Sequence, residues 1–227
     1  MDLLIQMILW ITAIAQIVVA VMSFINGGLA RRTIIASLTM LTGAAWTIIL
    51  STSWALDDTN IYFVNQLVML VGMLMYYMIS LLGLSFTEIK SKIFYPLALL
   101  FSMPAVCMAI AITFRINLFI PDVQITADDV ILTTNPFGLL LIALTMVVYV
   151  GLGIANLILA RKQANTVLGR KLIRNVIIGF VLAFISPLVF NVANAEVHEL
   201  HPLGPIGLLA MAILTYSALV SHGDDEL

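Results

Sequence analysis

Charge is excluded from seven long apolar stretches of this chain and collected between them, and no other property restricts its fold as strongly. Leu3 to Ile25, Thr33 to Trp54, Ile61 to Phe86, Ile93 to Phe114, Phe137 to Ala160, Leu172 to Ala193 and Leu203 to Ser221 contain no Lys, Arg, Asp or Glu. The exception is Arg174, which stands near the start of the sixth and can reach the interface along its own stem. About 20 residues at helical rise cross the ~30 Å of hydrocarbon in a bilayer. Each stretch is therefore read as one transmembrane helix, and the seven consume most of the 227 residues. The expected fold is an all-α integral membrane protein, a seven-transmembrane helix bundle forming a single domain over residues 1–227. Only 10% of residues are charged, against roughly 25% in soluble domains.

Orientation follows from where the cations fall. Nine of the ten Lys and Arg residues lie in the connections after the first, third and fifth stretches: Arg31, Arg32, Lys90, Lys92, Arg161, Lys162, Arg170, Lys171 and Arg174. Cytoplasmic loops are enriched in Lys and Arg, so this face is the inside, with the N-terminus out and the C-terminus in. The opposite face collects Asp2, Asp57, Asp58, Asp122, Asp128, Asp129, Glu196 and Glu199. The net charge of −2 thus reports topology and implies no nucleic-acid partner. The lipid bilayer is the partner that this pattern requires. The first stretch is a retained helix rather than a secretion signal, because Asp2 is the one charge before Arg31 and no basic region precedes the apolar run. The single cysteine, Cys107, excludes an intramolecular disulfide.

The long outer connection, Arg115 to Pro136, contains DVQIT and VILTT on either side of Ala127-Asp128-Asp129. Alternating β-prone residues around a short polar turn predict a small hairpin between the fourth and fifth helices, capping the outer mouth of the bundle. Pro104, Pro187 and Pro205 all fall in the outer half, where kinks free backbone groups and can open a cavity to the outside.

Chemistry requiring reactive groups at membrane depth has no residues to perform it. A retinal protein needs a lysine within a helix for its Schiff base. Lys90, Lys92, Lys162 and Lys171 all lie in or beside inner connections, so neither retinal nor another cofactor is expected. Buried carboxylates for ion coupling are absent from the spans. No nucleophile elbow, zinc-protease or phosphate-loop pattern occurs, and the chain is not expected to be an enzyme. The weak metal candidates are His198 and His201, three residues apart in EVHELHP. Two imidazoles fill only half a zinc shell, and no metal is expected. Met69, Met73, Met75 and Met78 are spread around the third helix and read as core packing.

Neutral polar residues at membrane depth carry more information: Gln16, Asn65, Gln66, Tyr149, Asn156, Asn191, Asn194 and Tyr216. In hydrocarbon each requires a partner across a helix interface or a wet pocket. Asn65, Gln66, Asn191 and Asn194 fall in the outer half near Pro187 and Pro205, and are the candidate ligand-binding residues.

Several runs carry a family resemblance: the outer DVQIT…VILTT loop, LILARKQANTVLGRKLIRNVIIG across the fifth and sixth helices, HPLGPIGLLAMAILTYSALVSH over the last, and LTGAAWTIIL with YFVNQLVMLVGMLMYYMISLLGLSF earlier. In these the chain resembles the N-terminal seven-transmembrane sensor region of bacterial histidine kinases. The resemblance implies a receptor-like sensor in a bacterial inner membrane. Such a sensor binds a small or lipidic ligand in its outer half and signals through the seventh helix to a cytoplasmic partner, a homodimer or an output domain. The sequence given reaches SHGDDEL without a kinase segment, which leaves an isolated sensor region and a stand-alone version both open. The alternative is a structural or accessory subunit packing on other membrane proteins through Gly151 with Ala155 and Gly179 with Ala183. A uniporter-like facilitator is the third reading.

Overall fold

The computed structural model describes residues 3–53, 61–89, 91–119, 122–125, 130–133, 135–187, 189 and 203–220. Its elements are α1 (Leu3–Gly27), α2 (Arg31–Ser53), α3 (Ile61–Ser85), α4 (Ser91–Phe114), the single turn α5 (Ile116–Phe119), β1 (Asp122–Ile125), β2 (Val130–Thr133), α6 (Pro136–Gln163), α7 (Val167–Pro187) and α8 (Pro205–Val220). Among the described residues five helices, α1, α2, α3, α4 and α6, are long and apolar enough to cross a membrane. That is fewer than the seven expected. The cations Arg170, Lys171 and Arg174 occupy the start of α7, and α8 has 16 residues, ~24 Å of rise against a core of ~30 Å. The strands pair antiparallel, Asp122 opposite Thr133 and Ile125 opposite Val130.

Local chemistry sets the helix ends. Gly28 takes φ 63° after α1, a left-handed conformation that a side chain disfavours. Its N–H donates to Phe24 O at 3.1 Å, closing the helix. Asn135 Oδ1 accepts from Phe137 N at 3.0 Å and Pro136 follows at the first helical position, so α6 starts with both a cap and a preset φ. Thr166 Oγ1 accepts from Gly169 N at 2.9 Å and caps α7.

Six helices form a ring in which α1 lies on α2 and α8, α2 on α3, α3 on α6, α6 on α7 and α7 on α8, with α2 also touching α8. Inside it stand Leu9, Met40, Met75, Tyr76, Ile79, Leu82, Leu157, Ile173, Phe180, Leu208 and Met211, all buried. Met73, Met75 and Met78 are buried packing residues. The ring closes tightly where small residues let backbones meet: a Cβ on Gly83 would lie 2.7 Å from the Gly153 Cα, and one on Gly179 would lie 2.9 Å from the Met211 Cα. Gly179 and Ala183 are consequently spent on the α7–α8 contact and do not offer a face to another protein, which corrects half of the expected accessory surface. Gly151 and Ala155, the other pair, are exposed on α6.

Helix α4 sits outside the ring, against α3 and the edge of α6. Tyr95, Leu99, Leu100, Met103, Val106, Ile110 and Phe114 face outward from it. Its C-terminal end is pinned by α5, where Phe119 is fully buried with Ile112 and Met73.

Candidate functional site

The ring of helices contains a buried polar node where α8 begins. Gln16 of α1 is 1% exposed. Its amide donates to the Pro205 carbonyl at 3.3 Å, and its side-chain oxygen accepts from Thr47 Oγ1 at 3.4 Å. Thr47 also donates to Gly43 O at 2.8 Å, in the manner of a helical threonine returning to its own backbone. Three helices thus converge on one side chain, at the residue where α8 begins. Gln16 stands out in the sequence as a polar residue within an apolar run, but its partners do not. Thr47 is an ordinary helical threonine, and the Pro205 carbonyl is backbone.

Asn65 and Gln66, two of the candidate binding residues, are half-buried near the N-terminal end of α3. Asn191 and Asn194 lie outside the described residues, as do His198 and His201. Among the described residues no group of three His, Cys, Asp or Glu could hold a metal ion. A shallow concavity of about 350 Å³ lies instead along the N-terminal half of α1, lined by Leu3, Gln6, Met7, Trp10, Ile11 and Ile14. Spacings of three and four residues place these on one stripe of the helix, so the concavity belongs to an outward face and includes neither Asn65 nor Gln66.

Pro104 does not open a void at its own position. The hydroxyl of Tyr149, from α6, accepts from Ala105 N and donates to Phe101 O. Beside it Tyr77 of α3 donates to Ala98 O at 3.1 Å, and the two rings pack edge to face at 6.1 Å. Two phenols therefore hold α4 by its backbone. The prolines of α4 are visible in the sequence, but the residues that fill the gap lie 27 and 45 positions away from Pro104.

Near the C-terminal ends of both helices Asn26 of α1 donates to the Tyr216 hydroxyl of α8 at 2.9 Å. Helix α1 therefore grips α8 near both ends, at Pro205 and at Tyr216. Arg31 donates to Ile89 O at 3.4 Å and stacks over the Phe94 ring at 4.2 Å. Arg32 donates to Ser85 O at 3.1 Å, with Phe86 5.8 Å beneath it. These guanidinium groups meet the carbonyl end of α3, where the helix dipole favours positive charge, and the aromatic faces add cation–π attraction.

A family model described as the N-terminal 7TM region of histidine kinase matches residues 8–223, nearly the whole chain. No curated protein and no solved structure gave a match.

Proposed function

Because this chain belongs to the family of N-terminal 7TM regions of histidine kinases, we propose that it is a receptor-like sensor in which a small or lipidic ligand in the outer half displaces α8. The helix then carries the shift to a cytoplasmic partner or output domain. In this reading α7 and α8 complete seven spans, N-terminus out and C-terminus in, in a bacterial inner membrane. The paired strands stand over the outer mouth, and Asn65, Gln66, Asn191 and Asn194 contact the ligand.

The observation that carries the reading is the Gln16 node. Its bond to Pro205 O and its contact with Thr47 link the first residue of α8 to α1 and α2. A ligand that alters the outer ends of α1 or α2 therefore acts on the helix nearest the C-terminus. The ligand must interact differently with two positions of that helix, since equal affinity for both moves no equilibrium.

The deciding experiment begins with mass spectrometry of small molecules retained on the gently purified protein. Spin labels at Ile206 and Ile213, both exposed on α8, then report distances to a label on exposed Leu140 of α6, with the retained compound present and removed. The sensor reading expects a change in the α8 distances, and a loss of retention when Asn65 and Gln66 become Leu. Unchanged distances under saturating compound would reject it.

The accessory-subunit alternative draws on Gly151. A Cβ built there meets nothing within 4 Å, and the glycine is exposed together with Ala155 one turn on. Cross-linking from Gly151→Cys to another membrane protein, with no compound retained, would favour that reading.

A further inference from the structure

The inner face carries two cationic groups, and the structure uses them differently. Arg31 and Arg32 are half-buried and engaged by carbonyls and aromatic rings. Arg161, Lys162, Arg170, Lys171 and Arg174 are exposed, and among the described residues none of the five has an ion-pair partner. The hydrogen bond described for them runs from Arg170 Nε to Thr166 O at 3.4 Å. Glu88 is the one described carboxylate on this face. Its backbone N–H bonds Gln163 Oε1 at 3.3 Å, at the end of α6, and its side chain pairs with none of these cations.

The placement of three of them is electrostatically unfavourable within the protein itself. Arg161 and Lys162 occupy the last turn of α6, where positive charge complements the helix dipole. Arg170 and Lys171 lie at the end of the first turn of α7, where the dipole disfavours cations, Arg174 follows one turn further in, and the first turn contains no acidic residue to offset them. Spacings of three and four residues put Arg174 beside both Arg170 and Lys171 on one side of the helix. Directly before them Val167 is 81% exposed and Leu168 40% exposed, apolar side chains at the same level as the charges.

We propose that this cluster binds phosphate-bearing anions, and specifically the headgroups of anionic lipids in the inner leaflet. Exposed Val167 and Leu168 suit acyl chains beneath a headgroup, whereas an acidic protein surface would offer them nothing apolar. Several Lys and Arg at the cytoplasmic end of a membrane helix attract anionic lipid, and the attraction fades over a Debye length. The site also adjoins α8. Gly179 packs against Met211 in the antiparallel α7–α8 pair, so nine residues further on Val220 lies level with Arg170. Headgroup charge would then be felt at the inner end of the helix that, on the proposed function, carries the output.

The test reconstitutes the full chain in nanodiscs of phosphatidylcholine alone, or with phosphatidylglycerol added, and reads the thermal unfolding midpoint. Wild type is expected to unfold at higher temperature with phosphatidylglycerol, by a margin that shrinks as salt rises. Arg170→Gln with Lys171→Gln is expected to lose most of that rise. Lys90→Gln with Lys92→Gln removes the same charge from another inner connection and is expected to retain it. Equal losses in the two double variants would mean that net charge alone acts, and would overturn the site. No rise in wild type would overturn it as well. Inorganic phosphate added to phosphatidylcholine discs separates the two sources of the anion, and a rise there equal to that with phosphatidylglycerol would overturn the lipid assignment. Because the readout is stability and not signalling, a negative result leaves the sensor reading to its own experiment.

Discussion

The hydroxyl of Tyr149 stands inside a backbone rung of α4, accepting the Ala105 amide at 2.6 Å and donating to the Phe101 carbonyl at 2.9 Å. In a straight helix that amide would donate directly to that carbonyl. Pro104, one residue earlier, lacks an N–H and its ring crowds the preceding turn, so the ladder opens there. A side chain inserted into an opened rung is one of the identifiable causes of a helix bend. It also keeps both backbone groups satisfied where water is scarce.

The tyrosine rung predicts a non-additive pair of substitutions. Tyr149→Phe keeps the ring but removes both bonds, and is expected to cost about 1–2 kcal/mol, because hydrogen bonds between membrane helices are individually modest. With Pro104→Ala in place the direct Phe101–Ala105 bond can form, and the same tyrosine change should cost much less. Denaturant unfolding of the four proteins of the cycle measures the coupling. Strictly additive losses would show that the hydroxyl and the proline act independently.

Gln16→Leu is expected to destabilise the bundle by about 1–2 kcal/mol, since it leaves the Pro205 carbonyl short of a donor at the α8 start. Thr47→Val should cost less, because Thr47 also bonds Gly43 O within its own helix. The pair should couple by about 0.5–1 kcal/mol in a double-mutant cycle. Hydrogen exchange adds a local readout: amides in the first turns of α8 should open faster in Gln16→Leu, while those around Gly83 should not. Uniform acceleration through the chain would mean that Gln16 has no particular hold on α8.

Arg31→Lys conserves the charge that sets topology but not the chemistry of the contact. The guanidinium reaches Ile89 O through two nitrogens and stands 4.2 Å over the Phe94 ring centre, a combination of contacts that an ammonium cannot reproduce. Inserted orientation should remain unchanged while stability falls by about 1 kcal/mol. A stability equal to wild type would make charge the residue's whole contribution.

Two glycines of α6 should respond oppositely to a methyl group. Gly153→Ala places a Cβ 2.9 Å from the Phe180 ring, and is expected to cost about 1–3 kcal/mol by overpacking. Gly151→Ala enters open space and should be neutral or slightly stabilising, given alanine's helix propensity. Thermal melts of the two variants decide the matter, and equal destabilisation would contradict the packing described.

Topology is checked with single cysteines in a Cys107→Ser background, because Cys107 is itself exposed. A membrane-impermeant label should reach Asp128→Cys in intact cells, and should reach Val167→Cys, 81% exposed as valine, only after permeabilisation. The reverse pattern would invert every assignment of inside and outside.

Segregated charge and long apolar runs made the helices readable without coordinates. Hydrocarbon tolerates few alternatives, and the starts of α1, α2, α3, α4, α6 and α8 fall within a few residues of the expected ones. The start of α7 was less legible. Arg170 and Lys171 read as loop, yet a threonine cap carries the helix back to Val167, because exposed cations are compatible with a helical turn that projects into the interface. Composition marked Gln16 and Tyr149 as polar residues needing partners but could not name those partners. Both use a backbone group freed or placed by a proline, Pro205 in one case and Pro104 in the other, and backbone carbonyls leave no trace in residue identity. The small residues show the same division. Gly151 with Ala155 and Gly179 with Ala183 share one spacing, so sequence alone assigned them one role. The packing of α7 against α8 consumed the second pair and left the first exposed, since which face of an apolar helix turns inward depends on neighbours that spacing does not specify.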